Sequence, residues 1–199
     1  DVYKRQLNIS SFNYQPEQTY LNTKLPFAFN YVDTNLDVVH DNDTQGEHGS
    51  HVAGIATSNA YISNGDGTFS TALDSVLVQG VAPGAQLLVM KVFGQNGGAY
   101  DSDYMAAIED AIVLGADSVN LSLGSTSPGF TRSEAYQEVM DRLTESDTVV
   151  VISAGNAGHW ADNGFHGRKG YLYAEDVDMY TGGSPGAYPN ALTLSLIHI

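Results

Sequence analysis

AQLLVMKVFGQNGGAYDSDYMAAIEDAIVLGADSVNLSL, residues 85–123, decides the fold. It opens on a continuous apolar run, AQLLVMKVF (85–93), which predicts a buried strand. GQNGGAY (94–100) is a glycine-rich break. DSDYMAAIEDAIVLGA (101–116) then sets Tyr104, Ala107, Ile108, Ala111 and Ile112 on the i, i+3, i+4 rule of an amphipathic helix. Acidic residues fill its first turn, as the helix dipole favours. DSVNLSL (117–123) predicts a second strand. The alternation continues with a helix over TRSEAYQEVMDRLTES (131–146), a strand over TVVVISAG (148–155) and a fourth strand over NALTLSL (190–196).

Strands and helices in alternation predict βαβ units and a parallel sheet. Right-handed crossovers would place helices on both faces, giving a three-layer α/β fold around a mostly parallel central sheet. In such sheets the reactive residues gather past the C-terminal ends of the strands. GQNGGA, SLGSTS and AGNAG all sit there and point to one crevice.

Upstream, residues 7–47 are polar, aromatic and rich in Asn and Asp, with Pro16 and Pro26 as breakers. LPFAFNYVD (25–33) within them predicts a short strand, and residues 48–58 predict a helix of small residues. Residues 59–80 read as a loop around NGDGT (64–68), a turn signal. In GEHGSHVAGIA (46–56), the residues alone leave three readings of His48 open: a catalytic base, a metal ligand paired with His51, or a helix-start residue without chemistry.

Composition narrows the classes of function. A hydrophobic content of 42% supports a real core, and 16% charged residues argue against a long disordered tail. Eight basic residues against 23 acidic give a formal charge of −15, which excludes nucleic acid and anionic membrane surfaces as expected partners. No apolar stretch is long enough to insert in a membrane. The absence of cysteine excludes disulfides, a cysteine nucleophile and thiolate metal sites. DVYKRQ at the start and LSLIHI at the end resemble translated sequencing-adaptor DNA. Residues 1–6 and 195–199 are therefore expected to be adaptor-derived, with a partial domain over 7–194.

HGSHVAGIA, GVAPGAQLLVMKVF, DSVNLSLGS and VVVISAGNAG resemble, in that order, four signature stretches of the subtilisin-like serine peptidases. LPFAFNYVD and GGSPGAYPNALTL are similar to the large bacterial cell-envelope proteinases of the lactocepin type. The resemblance runs over roughly residues 24–194. It implies a subtilisin-like fold, incomplete in this chain, and a serine endopeptidase acting on polypeptides outside the cell or on its wall. It assigns His48 as general base, because a serine hydroxyl needs a base to take its proton as it attacks a carbonyl. His51 becomes structural, and Ser50 stands where the family usually has threonine.

Asn156 matches the oxyanion asparagine, whose loss in a subtilisin lowers turnover about 10²–10³-fold. Ser122, Leu123 and Gly124, with Ser153, Ala154 and Gly155, match the two walls of the pocket for the side chain before the scissile bond. Gly97, Gly98 and Ala99 match the edge that pairs with an extended substrate.

The family orders its triad Asp, His, Ser. No Asp-Thr/Ser-Gly context precedes His48 here, and no Gly-Thr-Ser-Met-Ala-x-Pro string follows it. Asp33 in VDTN and Ser184 in GGSPGA match other family segments. The expectation is a catalytic domain lacking its aspartate and serine regions, inactive in this form and with sheet edges uncovered. The alternative is a pseudo-protease that binds without cutting. The chemistry requires no cofactor and no metal site is assigned, although Asp66 or the aspartates around 33–43 could hold a structural calcium of the kind many relatives use. A nucleotide-binding module is disfavoured, since GQNGGA is not GxGxxG and no Lys-Ser/Thr pair follows.

Overall fold

In the computed structural model, the described residues are 7–39, 46–58, 60–72, 75, 78–124, 134–155 and 183–195. Their strands are β1 (Phe27–Asn30), β2 (Tyr61–Ser63), β3 (Phe69–Thr71), β4 (Leu88–Lys91), β5 (Ser118–Leu121), β6 (Val149–Ser153) and β7 (Leu192–Leu194). Their helices are α1 (His48–Thr57), α2 (Asp101–Val113) and α3 (Glu134–Glu145). The chain divides into two compact units, Asp1–Asp110 and Ala111–Ile199, with the boundary inside α2. Among the named strands, every pairing outside one hairpin is parallel, as the alternation predicts, and an isolated antiparallel bridge joins Asn30 to Asn35.

In the first unit β1 pairs with β4 in register from Phe27 with Leu88 to Asn30 with Lys91. All four β1 residues are buried, so the strand reads as a run rather than an alternation. The polar, aromatic segment before it supplies the cover. A 3-10 turn over Asn8–Phe12 seats the fully buried Ile9, and Phe12 stacks on Phe29 while Tyr14 meets that ring edge-on. Below the strand start, Leu87 N–H donates to Lys24 O (2.9 Å) and Lys24 Nζ donates to Pro83 O (2.7 Å), which fixes the register.

Asp110, on α2, is fully buried. Its Oδ1 accepts from Asn8 N–H (2.7 Å) and Asn8 Nδ2 (3.1 Å), and its Oδ2 accepts from Tyr31 Oη (2.7 Å). Burial pushes this carboxyl above the usual carboxylate range, and the donors oppose that only in part. Burial, with the neighbouring Asp110 charge, pushes the Tyr31 phenol up as well.

Residues 59–80 are not simply a loop. β2 and β3 form an antiparallel hairpin, Tyr61 facing Thr71 and Ser63 facing Phe69. NGDGT is its turn: Asn64 N–H donates to Thr68 O (3.0 Å), and Asp66 Oδ1 accepts from Thr68 N–H (2.9 Å). Both strands are exposed throughout, so no period-two burial pattern marks them in the sequence.

In the second unit β5, β6 and β7 make a parallel sheet in that order. α3 buries Tyr136, Val139, Met140 and Leu143, the i, i+3, i+4, i+7 stripe that its periodicity requires, beside the buried Val150 and Ile152 of β6. Tyr136 stacks on Tyr188 at 5.5 Å. α2 ends at Val113, three residues before the predicted end. The cause is Gly115, at φ 75°: it takes the left-handed turn after which Ala116 N–H returns to Ala111 O (3.0 Å).

Candidate active site

His48 is the first residue of α1. The ladder behind it starts with His51 N–H donating to Glu47 O (2.8 Å). Both imidazoles are exposed, so the helix presents His48 from its N-terminal end instead of packing it.

The other end of α1 is fastened by residues 80–82. Gly80 N–H donates to Ser58 O (3.1 Å), Val81 N–H to Ile55 O (2.9 Å) and Ala82 N–H to Ala56 O (2.8 Å). These bonds satisfy carbonyls that a helix C-terminus leaves open. The approach demands glycine, because a Cβ at position 80 would lie 2.4 Å from Ser58 N and 2.6 Å from Thr57 N. Spacing along the chain gives no sign of this strap.

Gly97, Gly98 and Ala99 follow β4 in the same unit. Gly94 N–H donates to Gly98 O (3.0 Å) and Gly97 N–H to Gly94 O (2.9 Å), closing a tight loop.

The second unit brings the other two predicted segments together. Ser122, Leu123 and Gly124 leave β5, and Ser153, Ala154 and Gly155 come off the end of β6. Ser153 Oγ donates to Leu123 O (3.1 Å), tying one segment to the other. Asn120 Nδ2 donates to Ser122 Oγ (3.0 Å). Residues 183–186 lie against both. Gly183 N–H donates to Ala154 O (2.9 Å), a Cβ on Gly124 would lie 3.3 Å from Ser184 O, and a Cβ on Gly186 would lie 2.9 Å from Ser153 O. Ser184 is buried, and its hydroxyl has no hydrogen-bond partner among the described residues. Asn156 lies outside the described residues, as do His159, Trp160 and His166.

Among the described residues, no group of three or more His, Asp or Glu side chains is placed to hold a metal ion. Asp66 is occupied by its turn, and the Thr68 hydroxyl and N–H hold its carboxyl below the usual range. Asp33 accepts from Asn30 Nδ2 (3.0 Å), part of a cap on β1 in which Asn30 Oδ1 also takes the N–H groups of Val32 and Asp33. No described helix is long and apolar enough to cross a membrane.

The subtilase family model matches residues 12–198, and the chain belongs to that family. It is 38% identical over 179 residues to the PI-type proteinase of Lactococcus lactis subsp. cremoris, covering 88% of this chain and 9% of the proteinase. It is 31% identical over 173 residues to a C5a peptidase of Streptococcus pyogenes serotype M6, covering 83% of this chain and 14% of that protein. The chain thus spans only 9–14% of the length of these relatives. Among solved structures, the prenylagaramide maturation protease PagA shares the fold, with a TM-score of 0.53 at 21% identity over 76% of this chain and 43% of that one. Sphericase aligns with a TM-score of 0.48 at 27% identity over 71% of this chain and 37% of its own.

Proposed function

We propose that the chain is part of the catalytic domain of a serine endopeptidase that works outside the cell or on its wall. The nucleophilic serine and the triad aspartate belong to the rest of that protein. The serine hydroxyl attacks the scissile carbonyl, and His48 takes its proton and returns it to the leaving amine. The Asn156 amide donates to the oxygen that gains charge in the tetrahedral intermediate. Water then releases the acyl-enzyme by the same base. An extended polypeptide pairs with residues 97–99, and its side chain before the scissile bond lies between residues 122–124 and 153–155. The observation that carries this reading is the subtilase match over residues 12–198, which takes in every one of these segments.

The test is labelling with a fluorophosphonate, which reacts only with an activated serine. The full-length protein is expected to label, and His48→Ala to abolish labelling. The 199-residue chain alone is expected not to label. A full-length protein that binds peptide without labelling would overturn the enzyme reading in favour of a binding module.

A further inference from the structure

The hairpin turn and the loop after β4 share a dipeptide. Asparagine precedes glycine at Asn64 and at Asn96 among the described residues; a third case, Asn163, lies outside them. Glycine offers its amide nitrogen to the preceding carboxamide with the least steric hindrance. Both asparagines are exposed, but they are held differently. Asn64 Nδ2 donates to Thr68 Oγ1 (2.9 Å) and its Oδ1 accepts from Ser70 Oγ (3.0 Å), while Gly65 N–H donates to Ser63 Oγ (3.3 Å). No hydrogen bond among the described residues holds the Asn96 carboxamide, and Gly97 N–H donates to Gly94 O (2.9 Å).

We propose that Asn96 is a spontaneous deamidation site on the candidate substrate edge, and that Asn64 is its protected counterpart. The Gly97 nitrogen, once hydroxide has removed its proton, bonds to Asn96 Cγ. The Cγ–Nδ2 bond breaks and ammonia leaves. Water then opens the cyclic imide at either carbonyl, giving aspartate or isoaspartate. The isoaspartate route inserts an extra backbone carbon just before Gly97, and both products add a negative charge to a chain already at −15. The deamidation itself stands on the local geometry, whereas its effect on substrate rests on the function proposed above.

The experiment incubates the full-length protein at mildly alkaline pH and follows each asparagine by peptide mapping and mass spectrometry, in buffer and in concentrated urea. Asn64 must release two carboxamide bonds besides the long Gly65 bond to Ser63 Oγ, whereas at Asn96 no carboxamide bond holds among the described residues and the Gly97 bond to Gly94 O must open. Asn96 is therefore expected to convert about fivefold faster in buffer. The ratio is expected to fall toward one in urea. Thr68→Val is expected to speed Asn64 toward the Asn96 rate. Asn64 converting as fast as Asn96 in buffer, or a ratio unchanged by urea, overturns the proposal. The KM of aged full-length protein is a separate readout. If KM stays constant while Asn96 converts, the substrate role of residues 97–99 fails and the modification stands.

Discussion

Replacing Gly80 by alanine tests the strap that fastens α1. The new Cβ would meet Ser58 N at 2.4 Å, Thr57 N at 2.6 Å and Thr57 C at 2.8 Å. All three are backbone atoms, so no side chain can rotate away and the strap must retreat. Retreat breaks three N–H···O bonds of 2.8–3.1 Å, worth about 1 kcal/mol each, or about 3 kcal/mol together. Amide hydrogen exchange reads this directly: Val81 and Ala82 should exchange about a hundredfold faster than in the parent sequence. Gly84→Ala is the control, because a Cβ there meets nothing within 4 Å. Unchanged exchange in Gly80→Ala, or equal acceleration in Gly84→Ala, would refute the strap as the fastening of α1.

Other outcomes follow from the same geometry. Tyr31→Phe removes one of the donors to the buried Asp110 carboxylate and should destabilise the first unit by about 2 kcal/mol, measured by urea unfolding. The raised Asp110 value means that the folded state binds its proton more tightly than the unfolded chain does. Its contribution to stability is therefore fully present below the ordinary carboxylate value and is lost as pH rises through the raised one. The gap in urea midpoint between the parent sequence and Asp110→Asn should vary with pH over that window; a constant gap would contradict this. Gly186→Ala forces a Cβ to within 2.9 Å of Ser153 O. It should shift the amide NMR resonances of Ser153 and Ala154 while leaving those of residues 80–82 in place. In the full-length protein, His48→Ala should lower kcat by about 10⁶-fold, the size of the loss in a subtilisin, with KM little changed.

The elements with a strong period were readable in the sequence, and those that depend on distant partners were not. α3 shows its buried stripe in the spacing of Tyr136, Val139, Met140 and Leu143. β1 shows as an apolar run because all four of its residues are buried, whereas β6 shows as one although only Val150 and Ile152 are buried and Val149 is exposed. The hairpin escaped notice because its strands of three residues bury nothing. Asp110 reads as a polar position on an amphipathic helix, yet it is fully buried because Asn8, far away in sequence, reaches it. Strand-end logic located the segments around Leu123 and Ala154, and the Ser153 bond to Leu123 O joins them. His48 at a helix start followed from the small residues after it. The Gly80 contact could not be read, since it depends on where the helix backbone lies in space.

The strap also closes a ring. Because Ser58 and Gly80 are bonded to each other, the chain leaves the helix and returns to almost the same point, with residues 59–79 as a side excursion. The bonds that fasten α1 are made by residues 55, 56, 58 and 80–82, outside that excursion. Doubling it adds only about 0.6 kcal/mol of closure entropy. A tag grafted at the exposed turn over residues 64–68 should therefore lengthen the chain without moving the histidine.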